Sequence, residues 1–135
     1  MTRPELERFI RETYEARLSN DLDRCASLFA PNSWFRIVGT LEINPVARAS
    51  HSLAEVRQQL SSLIQLWKWE SFDFKDVIID GDRVAVHYWL TAVFNPTRET
   101  IHTEVVDLIT VSGRKILTFL QFLDTAAVAR VSSFR

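Results

Sequence analysis

Glycine is scarce in this chain, with three in 135 residues. None stands in a G-x-G pattern, which excludes the common nucleotide fingerprints and a Gly-rich phosphate loop. There is no Gly-x-Ser-x-Gly nucleophile elbow. Cysteine is scarcer still. Cys25 is alone, so no intrachain disulfide can form, and a cytoplasmic location is expected. Nothing in the sequence around Cys25 would activate its thiol. The three histidines are spread out, with no His-x-His and no Cys-x-x-Cys, so neither a metal nor another cofactor is expected. No apolar run is long enough to span a membrane, and the first residues lack the apolar core of a signal peptide. The net charge is −1, with Lys and Arg scattered. That gives no basic face for nucleic acid or an acidic membrane.

What remains is ordinary globular composition, 47% hydrophobic and 24% charged. The length suits one domain, residues 1–135, with a real core, and is too short for two ordinary domains. Thr2 and Glu5 have capping-box spacing and open a helix with an apolar stripe of Leu6, Phe9, Ile10, Tyr14 and Leu18. The polar break at residues 19–21 ends it and caps a short second helix. Leu22, Cys25, Ala26 and Phe29 face one way there, and Pro31 and Asn32 stop it. A strand is expected over 34–38, turned at Gly39 and Thr40 into 41–43, with a loop over 44–50. Ser52 and Glu55 open a third helix with Val56, Leu60, Leu63, Ile64 and Trp67 on its buried side. A strand over 69–79 leads to a hairpin turn at Asp80, Gly81 and Asp82. Strands follow over 84–94, 101–111 and 115–123, then a last short helix over 126–131, capped by Asp124 or Thr125.

Helices first and an antiparallel sheet second define an α+β domain. The late strands alternate with period two and are apolar on both faces. One face takes Val84, Val86, Tyr88, Leu90, Val105, Asp107, Ile109, Leu117, Phe119, Gln121 and Leu123. Only Asp107 and Gln121 break its apolar character mid-strand. A carboxylate there is costly unless paired, wet or protonated, so this face reads as the wall of a pocket. The other face carries His87, Trp89, Val106, Leu108, Ile116, Leu120 and Phe122. Helices can cover only one face, so the second is expected to be buried in a homodimer.

The candidate residues each carry two readings. Asp107 is a general acid, base or oxyanion donor with a raised pKa, or a carboxylate paired with Arg36 or His102 or hydrogen-bonded to a loop. Tyr14 polarises a ligand carbonyl, or is a core tyrosine with a satisfied hydroxyl. Asp124 reaches a pocket mouth, or caps the last helix. Val86, Tyr88, Val105, Phe119, Gln121, Leu123 and an aromatic such as Trp34 are the expected pocket lining. His51 is a rim base or a surface group, and His87 and His102 lie on the face opposite Asp107.

The chain resembles the nuclear transport factor 2-like superfamily, and within it the SnoaL-like polyketide cyclases and ketosteroid isomerases. The resemblance rests on five phrases in order. They are Tyr14-Glu-Ala-Arg-Leu-Ser-Asn-Asp-Leu-Asp-Arg-Cys-Ala-Ser-Leu-Phe-Ala-Pro-Asn32, His51-Ser-Leu-Ala-Glu-Val56, Asp80-Gly-Asp-Arg-Val-Ala-Val86, Val105-Val-Asp-Leu-Ile-Thr-Val111 and the run from Gly113 to Ala127. It implies a cone-shaped domain with N-terminal helices on a strongly curved, mainly antiparallel sheet, a pocket between them, and frequent dimers. Isomerases of this kind use a first-strand carboxylate base with a Tyr and a protonated carboxylic acid as oxyanion donors. Carried across, the acid falls on Asp107, the Tyr at or beside Thr13 and Tyr14, and the base near Ile37, which is no carboxylate. The cyclases use a late-strand Asp, for which Asp107 and Asp124 are the candidates. The implied function is cofactor-free isomerisation, cyclisation or dehydration of a hydrophobic carbonyl or polyketide-like compound. A non-catalytic ligand-binding module or an accessory subunit of the same fold stands beside it.

Overall fold

The computed structural model describes residues 1–39 and 49–132. Three helices precede the long meander of the sheet: α1 (Arg3–Leu18), α2 (Leu22–Ala26) and α3 (Leu53–Leu66). Side chains cap each start. Thr2 accepts from the Glu5 N–H, Asp21 from Arg24 and Ser52 from Glu55. Just past the end of α1, Asn20 adopts φ +58°, a left-handed conformation that asparagine tolerates better than most residues. The strands are β1 (Phe29–Ile37), β2 (Ala49–Ser50), β3 (Trp67–Asp80), β4 (Arg83–Phe94), β5 (Glu99–Ser112) and β6 (Lys115–Leu123), and α4 (Thr125–Ser132) closes the described chain. They form one sheet ordered β2-β1-β6-β5-β4-β3. Only the β1–β6 pairing is parallel.

Two tight hairpins make the long antiparallel meander. Gly81 takes φ +61° at the first central position of the β3–β4 turn, as a two-residue hairpin demands. Bulges in β3, between Trp69 and Ser71 and between Phe74 and Asp76, bend that strand and curve the sheet toward the helices. The expected α+β architecture is therefore present, with α1 and α3 lying on the concave face. The core between them holds Leu6, Phe9, Ile10 and Tyr14 of α1 against Val86, Tyr88 and Val105 of the sheet.

Four local expectations need correction. Phe29 opens β1 instead of continuing the second helix, because it pairs in parallel with Ile116. Pro31 and Asn32 do not stop a helix; they lie in β1 where the register shifts between Phe29 and Trp34, and a missing proline N–H is tolerated at such a shift. Trp67 starts β3 and pairs with Phe94 instead of ending α3. Ala49 and Ser50, assigned to a loop, form β2 against Phe35 and Arg36. The strand expected at 41–43 and its turn at Thr40 lie outside the described residues.

One register shift changes faces. Val111 pairs with Ile116 while Thr110 pairs with Thr118, so Leu117 is an extra residue in β6. The parity flips there. Ile116 turns inward and is fully buried, whereas strict alternation assigned that place to Leu117.

Helix α1 is held to the sheet by its apolar stripe, and Ile10 is 1% exposed. Ile10→Ala is expected to cost about 2–5 kcal/mol, read as a lower denaturant midpoint at unchanged slope. An unchanged midpoint would mean that α1 lies loosely on the surface.

Candidate functional site

Alternation along β4 and β5 points Tyr88 and Asp107 inward, one pleat apart along the sheet. The stripe of α1 lowers Tyr14 onto the same place. All three side chains are fully buried. The Tyr14 hydroxyl donates to Asp107 Oδ2 at 2.5 Å, and the Tyr88 hydroxyl donates to the same oxygen at 2.8 Å. Gln121, directly across from Asp107 on β6, donates from Nε2 to the Tyr88 hydroxyl at 3.3 Å. The two tyrosine rings meet edge to face with centroids 5.0 Å apart, and Phe74 packs edge-on to Tyr14 at 5.1 Å. Neither Arg36 nor His102 pairs with Asp107. Arg36 faces outward, and His102 stacks on Trp89 on the far side of the sheet.

Burial dominates the electrostatics. Desolvation lifts the Asp107 carboxyl from its ordinary 3.8 to about 7, although hydrogen bonds from Tyr14, Tyr88 and Gln121 pull the other way. Its second oxygen, Oδ1, is buried with no partner among the described residues. A full negative charge is thus solvated on one oxygen only. Burial and the neighbouring carboxyl hold both phenols well above the ordinary tyrosine range.

A cavity of about 100 Å³ opens beside this cluster, between the concave sheet face and the helices. Tyr14, Thr13 and Arg17 of α1 form one wall. Phe35 and Ile37 of β1 form a second, and Trp67, Trp69, Leu90 and Thr103 a third. Phe119, Gln121 and Leu123 of β6 complete it, with Leu60 and Leu63 of α3 above. Asp107 is not on the cavity surface. It sits one layer back, behind Tyr14 and in the same layer as Tyr88. No carboxylate lines the cavity among the described residues.

Of the residues expected to line a pocket, Phe119, Gln121 and Leu123 reach the cavity, while Val86, Tyr88 and Val105 are packed in the layer behind it. Trp34 is elsewhere. In β1 the inward residues are Ser33, Phe35 and Ile37, so Trp34 points away. Asp124 is also apart from the cluster. It is exposed, and its Oδ1 accepts from the Ala127 N–H at 3.0 Å, capping α4.

The residues missed by reading the sequence are Arg17, Thr103 and the pair Phe35 and Ile37 as lining. A periodic signal existed for each. Arg17 follows Tyr14 by one helical turn, and Thr103 shares the parity of Asp107.

The sequence profile of the SnoaL-like domain matches residues 10–119. The chain belongs to the SnoaL-like domain family. No curated protein shows significant sequence similarity to it. Among solved structures, this SnoaL-like chain is similar to an NTF2-like protein of Burkholderia xenovorans, at 20% identity and TM-score 0.78, covering 98% of this chain and 99% of that one. A protein of Jannaschia sp. provisionally named a SnoaL-like polyketide cyclase matches at 15% identity and TM-score 0.77, over 95% and 91%. A Catenulispora acidiphila protein with a ketosteroid isomerase-like fold, solved with trimethylamine, matches at 9% identity and TM-score 0.77, over 94% and 93%. At these identities the likeness establishes the SnoaL-like fold and leaves the chemistry to the side chains.

The raised Asp107 pKa gives stability a definite pH dependence. Because the folded value of about 7 exceeds the ordinary 3.8, the folded state holds a proton that the unfolded chain releases between those values. The contribution is fully present below about 4 and is lost as pH rises through about 7. Asp107→Asn keeps an oxygen for the tyrosines and removes the charge. Its melting midpoint is expected to exceed the wild type's at pH 8, with the gap closing toward pH 5. A variant less stable at pH 8, recovering on acidification, would identify a stabilising anion instead.

Proposed function

We propose that this SnoaL-like domain is a cofactor-free acid catalyst for a small hydrophobic carbonyl compound, acting by dehydration, cyclisation or isomerisation. The observation that carries this reading is the shared oxygen of Asp107, which receives both tyrosine hydroxyls beside an apolar cavity. When Asp107 is ionised, both phenols spend their protons on it. When it is protonated, the carboxylic acid can itself donate to a tyrosine oxygen. Tyr14, which borders the cavity, is then free to donate to a ligand carbonyl. Negative charge developing on that carbonyl oxygen would meet Tyr14 backed by a protonated Asp107 in a dry site, where such hydrogen bonds count most. Asp107 acts through Tyr14 and need not touch the ligand. Gln121, donating to Tyr88, keeps the second phenol in place. Asp124 has no part in this step unless the chain rearranges.

Ile37 favours a second reading. It lines the cavity where the isomerases of this fold carry their base, and no carboxylate replaces it on the cavity surface. A non-catalytic binding module needs only the apolar walls and one hydrogen-bond donor.

Hydrophobic cyclic ketones incubated in deuterated water separate the two. Catalysed α-proton exchange above buffer, with solvent water taking the α-proton while Tyr14 donates to the carbonyl oxygen, and falling roughly a hundredfold in Tyr14→Phe, is expected of the acid catalyst. Binding without exchange supports the module. Equal exchange by wild type and variant removes Tyr14 as the donor.

The reading includes a cytoplasmic homodimer. The lone, buried Cys25 supports the compartment; among the described residues no helix is long and apolar enough to cross a membrane. The dimer is supported by the convex sheet face, where Val106, Leu108 and Phe122 are each about 40% exposed. Solution mass at micromolar protein is expected to be twice that of the chain, and a stable monomer would contradict it.

A further inference from the structure

Arg17 is a cation on an otherwise uncharged wall. It stands one helical turn beyond Tyr14 and borders the cavity with no carboxylate within ion-pair distance among the described residues. Its guanidinium lies over the Trp69 ring, 5.2 Å from the centroid. Nη2 donates to the carbonyl oxygens of Leu63 at 3.3 Å and Trp67 at 2.7 Å, and Nη1 donates to Asn20 Oδ1 at 2.9 Å. Those acceptors fix the plane of the group; the α3 C-terminal carbonyls lend it partial negative charge, and no carboxylate among the described residues adds a full one. A guanidinium has five N–H donors; Nε and the rest of Nη1 have no acceptor among the described residues. Burial lowers its pKa to about 10, so it remains charged at neutral pH. A second polar atom on the same cavity is also unmatched. Thr103 Oγ1 is buried with no hydrogen-bond partner among the described residues.

We infer that Arg17 is the anion anchor of the cavity and that the ligand is a small apolar carboxylate. The wall dictates each part of that description. The lining around Arg17 is aromatic and aliphatic, so the body of the ligand is apolar. One guanidinium balances one carboxylate; a phosphate monoester, carrying close to two charges, would keep one of them uncompensated in a dry site. The unused Nε–H and Nη1–H lie on different edges of the group, so each offers a carboxylate oxygen a single charge-assisted hydrogen bond. The room, about 100 Å³, is smaller than a 150 Å³ cavity that accepts benzene, so the buried part is a short chain. Thr103, on the sheet across from α1, offers a hydroxyl to a second polar atom of the ligand. This inference rests on the cavity being a ligand site, as in the proposed function, and adds the charge and size of what enters.

The test compares pentanoate with pentan-1-ol, which share a short chain and differ in charge. Both are titrated by calorimetry and by the fluorescence of Trp67 and Trp69. The wild type is expected to bind the acid roughly tenfold or more tightly than the alcohol at neutral pH. Arg17→Met, similar in length and apolar, should abolish the preference while the alcohol binds at least as well. Arg17→Lys should keep part of it, and it retains a donor for the α3 carbonyls if the Met variant does not fold. Equal affinity of the wild type for acid and alcohol overturns the anchor and leaves the ligand pocket standing. A preference that persists in Arg17→Met also overturns it. Binding of neither molecule overturns the pocket and the anchor together.

Discussion

A carboxyl group with no exposure and an apolar sheet around it costs free energy in any charged form, and the site is organised around that constraint. Asp107 lies mid-strand on the concave face, between Val105 and Ile109 on its own strand and beside Val86 and Gln121 on its neighbours. A buried carboxyl can be kept by pairing it, by hydrating it or by lending it hydrogen bonds while its pKa rises. This chain uses the third route. Two phenols and, through one of them, an amide supply the hydrogen bonds, and among the described residues no cation within ion-pair distance supplies a countercharge. A salt bridge would have driven the pKa down and fixed the charge. Tyrosines leave the carboxyl able to change state near neutral pH, and its state decides where their protons point.

The clamp also ties the two layers of the domain together. Tyr14 comes from α1 and Tyr88 and Asp107 from the sheet, so the hydrogen bonds are formed only when the helix is seated. The aromatic shell of Phe72, Phe74 and Trp69 around Tyr14 excludes water from the clamp. That dryness raises the Asp107 pKa and strengthens the hydrogen bonds. The cation of Arg17 lies on the next turn of the same helix, held by carbonyl groups at the C-terminus of α3 that offset its charge only in part. The cavity therefore meets an uncharged hydrogen-bonding cluster at one place and a fixed positive charge at another, with apolar walls between.

Period-two alternation made the central strands legible. It places Tyr88, Val105, Asp107 and Gln121 on one face and His87, Val106 and Phe122 on the other, because β4 and β5 pair without interruption over their whole shared length. Alternation failed where a strand carries an extra residue. The shift at Leu117 turned Ile116 inward, and the irregular start of β1 hid that Phe29 was already strand. The shift at Leu117 has no glycine or proline beside it, and Pro31 in the β1 shift reads locally as a helix stop, since both are imposed by pairing with a distant strand. The boundary of α3 moved for the same reason, Trp67 being claimed by Phe94. Arg17 was illegible for a different one. An arginine near the end of a helix ordinarily reads as a solvated group favouring the helix dipole, and only the arrival of Trp67 and Trp69 from elsewhere in the chain covers it. Asp107 as an inward carboxyl could be read from the strand; that two tyrosines meet on one of its oxygens required the packing of α1.

The central claim is that burial raises the Asp107 carboxyl until it changes state near neutral pH, clamped by tyrosines instead of fixed as the anion of an ion pair. Its carboxyl carbon can be followed directly by carbon-13 NMR of protein labelled at aspartate, with the signal assigned by its loss in Asp107→Asn. The account predicts a titration with a midpoint near 7, well apart from the exposed aspartates. A midpoint at or below the ordinary 3.8 would contradict it, because an anion would then be the favoured state of the folded protein.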